Sequence, residues 1–272
     1  MIYILKTFIN MHNVFDIACN FTSERFDDDL DEVIKRAIEN NITKFGLICS
    51  RIDDFPKLIN IYNNYSDSFN FTIGIHPHHA NELNENNLFK LKDLVVSNSP
   101  HAVGETGLDF FRNLSTYEEQ IYAFEEQIKI AISLNKPLFL HQRDSHEDFI
   151  KILRKYSSEI NKSVVHCFTG TQAQLDDYLE LDCFIGVTGW ICDEKRNVEL
   201  RNTIKNIPLS KLMIETDSPY LIPKDLAEKP KNNRNEPKNL NHIASTIAVL
   251  MGEDEEILRK QTYENSISFF NY

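Results

Sequence analysis

The sequence lacks several features that would place it in a large class of proteins. No stretch approaches the roughly 20 apolar residues of a membrane-spanning helix, and the first ten residues lack the basic segment and cleavage site of a secretory leader. The 41 acidic residues outnumber the 29 basic ones, and a net charge of −12 argues against a broad basic surface for nucleic acid. We therefore expect a cytoplasmic protein with no membrane partner, in which any phosphate substrate is held locally.

Cysteine pairs and glycine-rich motifs are also missing. The five cysteines are odd in number and scattered, with no CxxC pair. This usage favours reduced thiols in a reducing compartment over a disulfide framework. No GxGxxG motif follows the first predicted strand, which argues against dinucleotide binding.

Short apolar runs alternate with helical patterns along the whole chain. The expected strands are 14–19, 45–49, 71–75, 101–105, 137–141, 163–166, 183–187 and 212–217. Eight strands alternating with helices predict an α/β fold, a single-domain (β/α)8 TIM barrel, with an open doubly wound sheet as the alternative. We assign the barrel to residues 13–272 and treat 1–12 as an N-terminal appendage, with Met11 as an alternative start.

Five of these runs lead into a residue that can bind a metal. These residues are His76, Glu105, His141, His166 and Asp217. Because the carboxyl ends of all barrel strands meet at one face, side chains far apart in sequence would lie near each other. Imidazole and carboxylate ligands suit Zn, Mn and Fe, and a more oxygen-rich set suits Mg. A bound ion generates hydroxide near neutral pH, and Asp217 could orient or deprotonate that water.

Each of these residues also has an ordinary structural explanation. His141 or His166 alone would be read as a hydrogen-bonded core histidine, and Glu105 could pair with Arg112 or Arg143. Four such residues at four strand ends are harder to explain in this way. The combination therefore favours an enzyme with a divalent-metal site.

Other polar and aromatic residues near the strand ends are weaker candidates for substrate binding. We expect 106–114 to form a loop after the fourth strand, and an indole at position 190 could stack on a base. Arginines could clamp phosphate. Loop fixing, core packing and salt bridges are competing explanations for all of them. The candidates are His76, His78, Asp109, Arg143, Trp190 and Arg234.

Six motifs carry a resemblance to a known family. They are Gly74–His78 (GIHPH), Val103–Phe110 (VGETGLDF), Leu140–Asp144 (LHQRD), Val165–Gly170 (VHCFTG), Gly186–Trp190 (GVTGW) and Ile214–Tyr220 (IETDSPY). Together they resemble the TatD family of metal-dependent deoxyribonucleases, among the amidohydrolase-like barrels. The resemblance runs from about Phe15 to Phe270 in order, and the runs 188–196 and 233–237 resemble the TatD branch proper.

The resemblance implies a TIM barrel with Mg²⁺-dependent 3′→5′ exonuclease activity. The implied partner is the end of single-stranded DNA, with RNA as an open alternative, and the products are 5′-mononucleotides. Mn²⁺ and Zn²⁺ are alternative ions. Carried over by motif, Glu105, His141 and His166 are metal ligands, and Asp217 is the catalytic aspartate and a further ligand. Glu105 is also expected to take part in catalysis, and we expect a monomer.

The first strand departs from the pattern of the wider family. Ala18 and Asn20 stand where much of that family has a His-x-His pair. Alanine cannot bind a metal, and a neutral amide offers only a weak oxygen. We therefore expect one well-formed metal site, with any second ion weak or brought by the substrate.

Two other functions remain compatible with the residues. The same metal could act on a carbonyl, in a small amide, ester or aminoacyl substrate. Without the first-strand histidines, the chain could instead be a non-catalytic metal-binding protein.

Overall fold

The strands follow one another around a barrel in chain order. The structure, a computed structural model, describes residues 12–230 and 232–270. Within these ranges, eight parallel strands pair in the order β1 to β8. They are β1 Val14–Cys19, β2 Ile42–Leu47, β3 Phe69–Ile73, β4 Ala102–Asp109, β5 Leu138–Arg143, β6 Ser163–Val165, β7 Phe184–Val187 and β8 Leu212–Ile214. Asn20 N donates to Ser218 O at 2.8 Å and joins the first strand to the last. The predicted single-domain (β/α)8 TIM barrel is confirmed.

Helices lie between the strands on the outside of the barrel. They are α1 Leu30–Ile38, α2 Phe55–Asn64, α3 Glu85–Asn98, α4 Tyr117–Ser133, α5 His146–Tyr156, α6 Gln172–Glu180, α7 Val198–Thr203, α8 Leu240–Met251 and α9 Glu255–Phe270. In the described part of the chain, no helix is long and apolar enough to cross a membrane. The expected N-terminal appendage, 1–12, lies outside the described residues except for His12.

The start of α4 follows from its sequence. Glu119 N donates to Thr116 Oγ1 at 3.3 Å, and Thr116 N donates to Glu119 Oε2 at 2.8 Å. This reciprocal capping box satisfies two backbone N–H groups that the first turn would leave without partners. Phe124 and Ile128, one helical turn apart, then pack into the core between helix and sheet. The cap therefore sets where the helix between β4 and β5 begins.

The interior of the barrel is apolar at one end and polar at the other. Phe15, Phe139 and Met213 fill the amino-terminal end together with Phe269 and Phe270 from the last turn of α9. The rings of Phe15 and Phe270 stack with their centroids 5.3 Å apart. Burying each such ring contributes roughly 1.5–3 kcal/mol. The last helix therefore closes one end of the barrel and leaves the carboxyl end for polar side chains.

The ends of several strands differ from the sequence-based prediction. β4 continues past Glu105 to Asp109 and pairs with β5 as far as Arg143, so the prediction of a loop at 106–114 is wrong for its first four residues. Backbone pairing, and not the end of an apolar run, decides where a strand ends. Gly107, with φ +148°, makes this pairing possible, since a Cβ there would lie 1.9 Å from the carbonyl oxygen of His141. Glu105, Asp109 and His141 consequently lie on strands.

The cysteines are separate thiols in the structure. Four of the five are buried and Cys167 is partly exposed.

Replacement of Thr116 by alanine should destabilise the protein by about 1 kcal/mol, because the cap of α4 loses its side-chain acceptor. Urea denaturation followed by far-ultraviolet circular dichroism measures the change. Ser158→Ala removes an exposed hydroxyl outside any helix and is the matched control. Equal stabilities of the two variants would contradict the stabilising role of the capping box.

Candidate metal centre

One oxygen of the Glu105 carboxylate is the meeting point of three imidazoles. Oε1 lies 2.7 Å from His166 Nε2, 2.9 Å from His141 Nδ1 and 3.2 Å from His76 Nε2. The glutamate comes from β4 and the histidines from β5 or from the segments that follow β3 and β6. The parallel barrel brings these strand ends to one mouth. The structure thus brings Glu105, His141 and His166 together, and adds His76.

Charge pairing holds the buried carboxylate ionised. Burial alone would raise the pKa of Glu105, but the charge of His166 and the hydrogen bonds from His141 and His166 hold it well below its usual range. The pKa of His166 is raised well above its usual range, since the attraction of Glu105 and Glu215 outweighs burial. The pair therefore carries a proton that a bound cation would replace.

Glu215 holds His166 from the side opposite Glu105. Its Oε2 lies 3.5 Å from His166 Nδ1, and its Oε1 accepts the backbone N–H of Cys167 at 2.5 Å. Its side chain is fully buried. The two atoms are too far apart for a regular hydrogen bond, but the negative charge favours a proton on Nδ1 and leaves Nε2 available to a metal. Glu215 was not among the candidates predicted from the sequence, although a glutamate directly after the apolar run Leu212–Ile214 is a usable signal.

His76 has a different hydrogen-bonding pattern from His166. Burial lowers the pKa of His76 to about 4, so its ring is neutral near pH 7. Its Nδ1 accepts the backbone N–H of His78 at 3.1 Å. The remaining proton is therefore on Nε2, the nitrogen that faces Glu105. One ligand atom from each of His76, Glu105 and His141 lies within 4.8 Å of the others, but this tautomer makes His76 a donor to the cluster.

His78 and Asp109 extend the cluster on the side of His141. Asp109 Oδ2 lies 2.7 Å from His78 Nε2 and 3.4 Å from His141 Nε2. The hydrogen bonds from His141 and His78 outweigh desolvation and hold the pKa of Asp109 below its usual range. Asp109 is almost fully buried, so its main contacts are within the protein. His78 and Asp109 thus lie beside His141 and not in an open loop.

Asp217 follows β8 and lies within electrostatic reach of His166 and Glu105. Removal from bulk water raises its pKa to about 7, and the negative charges of Glu105 and Glu215 act in the same direction against His166. Asn20 Nδ2 donates to Asp217 Oδ1 at 2.8 Å. Asn20 thus orients the aspartate through its amide N–H. Ala18 is buried in the apolar barrel interior.

Two arginines among the candidates have partners outside the cluster. The Arg234 guanidinium forms salt bridges with Asp29 at 2.6 Å and Glu236 at 2.9 Å, and its side chain is 7% exposed. The carbon of the Arg143 guanidinium lies 3.8 Å from the ring centroid of Phe111. The structure therefore gives Arg234 a role in tying the long segment after β8 to the start of α1, and places Arg143 on an exposed aromatic ring.

Trp190 lines a cavity next to Asp217. The cavity has a volume of about 290 Å³. Tyr220 also lines it, and its backbone N–H donates to the carbonyl of Asp217 at 2.9 Å. Arg25, Arg196 and Lys224 contribute cationic side chains to the same walls. Aromatic and basic groups are therefore concentrated at the edge of the cluster, although the whole protein is acidic.

Comparisons with known proteins agree with the motifs. The sequence profile of the family described as TatD related DNase matches residues 15–271. A relative from Erwinia tasmaniensis named 3′-5′ ssDNA/RNA exonuclease TatD is 42% identical over 258 residues, covering 95% of this chain and all of the relative. One of the same name from Erwinia amylovora is 40% identical over 257 residues, covering 94% of this chain and 99% of the relative.

Solved structures agree in fold. A TatD family hydrolase from Entamoeba histolytica has a TM-score of 0.86 and 30% identity, with 95% of this chain and 98% of that chain covered. A TatD homologue from Escherichia coli, at 24% identity, has a TM-score of 0.88 over the same shares of the two chains. The expected family is confirmed: this chain belongs to the TatD-related DNase family.

Proposed function

We propose that this protein is a metal-dependent 3′→5′ exonuclease that hydrolyses phosphodiester bonds of single-stranded DNA and RNA and releases 5′-mononucleotides. The observation that carries the proposal is the convergence of imidazoles on Glu105 beside Asp217, whose pKa is about 7. The relatives named exonucleases, at 40–42% identity over nearly the whole chain, support the same reaction.

The residues that would hold the ion are Glu105, His141 and His166. The donor set fits a divalent cation, because two imidazole nitrogens already lie 2.7 and 2.9 Å from one anionic oxygen in a buried position. Glu215 favours the tautomer of His166 that a ligand needs, whereas His76 has its proton on the inward nitrogen. When bound, Mg²⁺ (with Mn²⁺ and Zn²⁺ as alternatives) would neutralise a phosphoryl oxygen and lower the pKa of water.

One such site is proposed. A second ion would find only a weak ligand here, since Ala18 is an apolar core residue and Asn20, whose amide N–H donates to Asp217, offers only a neutral carbonyl oxygen.

Asp217 is suited to receive the proton of the attacking water. A general base works best when its pKa is near the working pH. Removal from bulk water raises the pKa of the Asp217 carboxyl to about 7. Asn20 holds one carboxylate oxygen in place through its amide N–H. The side chain of Asp217 is therefore held in one orientation, and its other oxygen can align the attacking water in one direction.

The cavity next to Asp217 supports a nucleotide substrate. Trp190 and Tyr220 offer aromatic faces for bases, and the neighbouring cations attract phosphate. A small amide or ester substrate would need neither group. These basic residues lie around one cavity in a chain of net charge −12. Such a small basic surface can bind a few terminal nucleotides but not a long duplex.

The exonuclease assay uses a 5′-labelled single-stranded DNA oligomer, with Mg²⁺ or with EDTA. We expect a ladder that shortens one nucleotide at a time with Mg²⁺, and no shortening with EDTA or with Glu105→Ala. A phosphorothioate at the 3′-terminal linkage should block the reaction, and one at the 5′ end should not. No shortening with Mg²⁺ or Mn²⁺ would reject a nuclease in favour of a carbonyl substrate, and an active Glu105→Ala would reject the site.

Asp217→Asn should lower the turnover by roughly 10²–10⁴-fold, because the amide cannot accept the proton. Single-turnover kinetics on the same oligomer measure the change, and calorimetry follows metal binding separately. Asp182→Asn is the matched control. Asp182 lies before β7, is exposed and forms a salt bridge with Lys211. Turnover equal to that of the control would contradict the role of Asp217 as the base.

Glu215→Gln should weaken metal binding by about 10–100-fold without unfolding the protein, because a carboxylate behind a ligating histidine holds its tautomer and orientation. Isothermal titration with Mn²⁺ measures the affinity, and thermal denaturation measures the stability. Glu159→Gln, at an exposed position outside any helix, is the control. Unchanged affinity in Glu215→Gln would remove this residue from the metal centre.

A further inference from the structure

A second group of metal-binding side chains lies outside the barrel mouth. It consists of Cys192, Asp225 and His242, and one ligand atom from each lies within 4.8 Å of the others. His242 Nε2 and Asp225 Oδ1 are 2.6 Å apart. The thiol is 1% exposed, while the side chains of His242 and Asp225 are 34% and 42% exposed. The group is thus buried on one side and open to solvent on the other.

We propose that Cys192, Asp225 and His242 bind a Zn²⁺ ion, with water as the fourth ligand. Thiolate sulfur, imidazole nitrogen and carboxylate oxygen are the three ligand types that zinc uses in proteins. A thiolate and a carboxylate together cancel the charge of the ion, so the partly buried site is neutral when occupied. The Glu105 centre, by contrast, has no sulfur among its proposed ligands, and a thiolate selects zinc over magnesium.

Zinc binding needs only a small separation of two partly exposed side chains. A tetrahedral zinc ion with bonds of about 2.0–2.1 Å separates its nitrogen and oxygen ligands by roughly 3.3 Å. The 2.6 Å hydrogen bond between His242 and Asp225 must therefore lengthen. Both side chains are partly exposed and can move. Cys192 is the fixed member, since its Sγ also contacts Thr246 Oγ1 at 3.6 Å.

A catalytic cysteine is the main competing explanation for this arrangement. Burial raises the pKa of Cys192 to about 12, and the nearby carboxylate of Asp225 acts in the same direction. A thiol that stays protonated is a poor nucleophile. Zinc, however, displaces the thiol proton into solvent when it binds. The same surroundings therefore disfavour covalent catalysis and permit metal binding.

The three ligands come from separate segments near the nucleotide-sized cavity. Cys192 ends the 3-10 turn Gly189–Cys192 after β7, Asp225 lies in the long segment after β8, and His242 is in the first turn of α8. Trp190 and Lys224, which line the cavity, are two and one residues away from ligands. Bound zinc would cross-link these segments and hold one wall of the cavity in place.

The test is Co²⁺ binding by the full-length protein, read from the thiolate-to-cobalt charge-transfer band in the near ultraviolet. We expect Co²⁺ in excess of both metal sites to produce this band, and excess Zn²⁺ to abolish it. The band should persist in Glu105→Ala, which alters only the barrel mouth. Asp225→Asn and His242→Asn, at partly exposed positions, should each weaken Co²⁺ binding by at least about 10-fold. Cys183→Ser, which removes a buried thiol that lies before β7, is the matched control for Cys192→Ser.

The outcomes separate the alternatives. Loss of the band in Cys192→Ser, with the band retained in Cys183→Ser, supports the site. If Cys192→Ser fails to fold, weaker Co²⁺ binding by Asp225→Asn and His242→Asn still supports it. No charge-transfer band at saturating Co²⁺ would overturn the proposal, and so would a band that survives His242→Asn at full affinity. A band lost in Glu105→Ala would assign the thiolate contact to the barrel mouth and also overturn it.

Discussion

The buried carboxylate of Glu105 is the constraint on which the site depends. An isolated charge at 5% exposure would cost several kcal/mol, and only the three imidazoles around Oε1 make it tolerable. Each imidazole in turn has a fixed partner on its far side: Glu215 for His166, Asp109 for His141 and the His78 backbone for His76. The contacts that compensate the charge of Glu105 are therefore also the contacts that fix the orientation of the histidines.

The barrel supplies the frame in which this compensation is possible. Its amino end is closed by aromatic rings, among them Phe269 and Phe270, and contributes packing energy. Buried polar pairs hold the carboxyl end, where Asp16 Oδ1 accepts the backbone N–H of Thr216 at 2.8 Å and so ties β1 to the segment that carries Asp217. Packing at one end thus stabilises a fold whose other end contains groups that would be unfavourable alone.

Basic side chains are concentrated around one cavity although the whole protein is acidic. The cations are a few side chains that line the cavity beside Trp190. Arg234, a candidate for phosphate binding in the sequence, forms salt bridges with Asp29 and Glu236 instead. The two donor sets also differ in kind. Oxygen and nitrogen donors meet at the barrel mouth, whereas the group at Cys192 also contains a sulfur donor, which disfavours Mg²⁺ there.

Periodicity and motif order in the sequence were sufficient to predict the barrel, the family and the approach of Glu105, His141 and His166, because a parallel barrel forces strand ends together whatever their separation along the chain. Tertiary structure decided the rest. Pairing with β5 carried β4 on to Asp109, and Glu215 became a partner of His166 only through contact across β6 to β8. Likewise, the tautomer of His76 and the salt bridges of Arg234 depend on neighbours distant in sequence. A linear pattern records which groups a chain carries; which group compensates which is set by three-dimensional proximity.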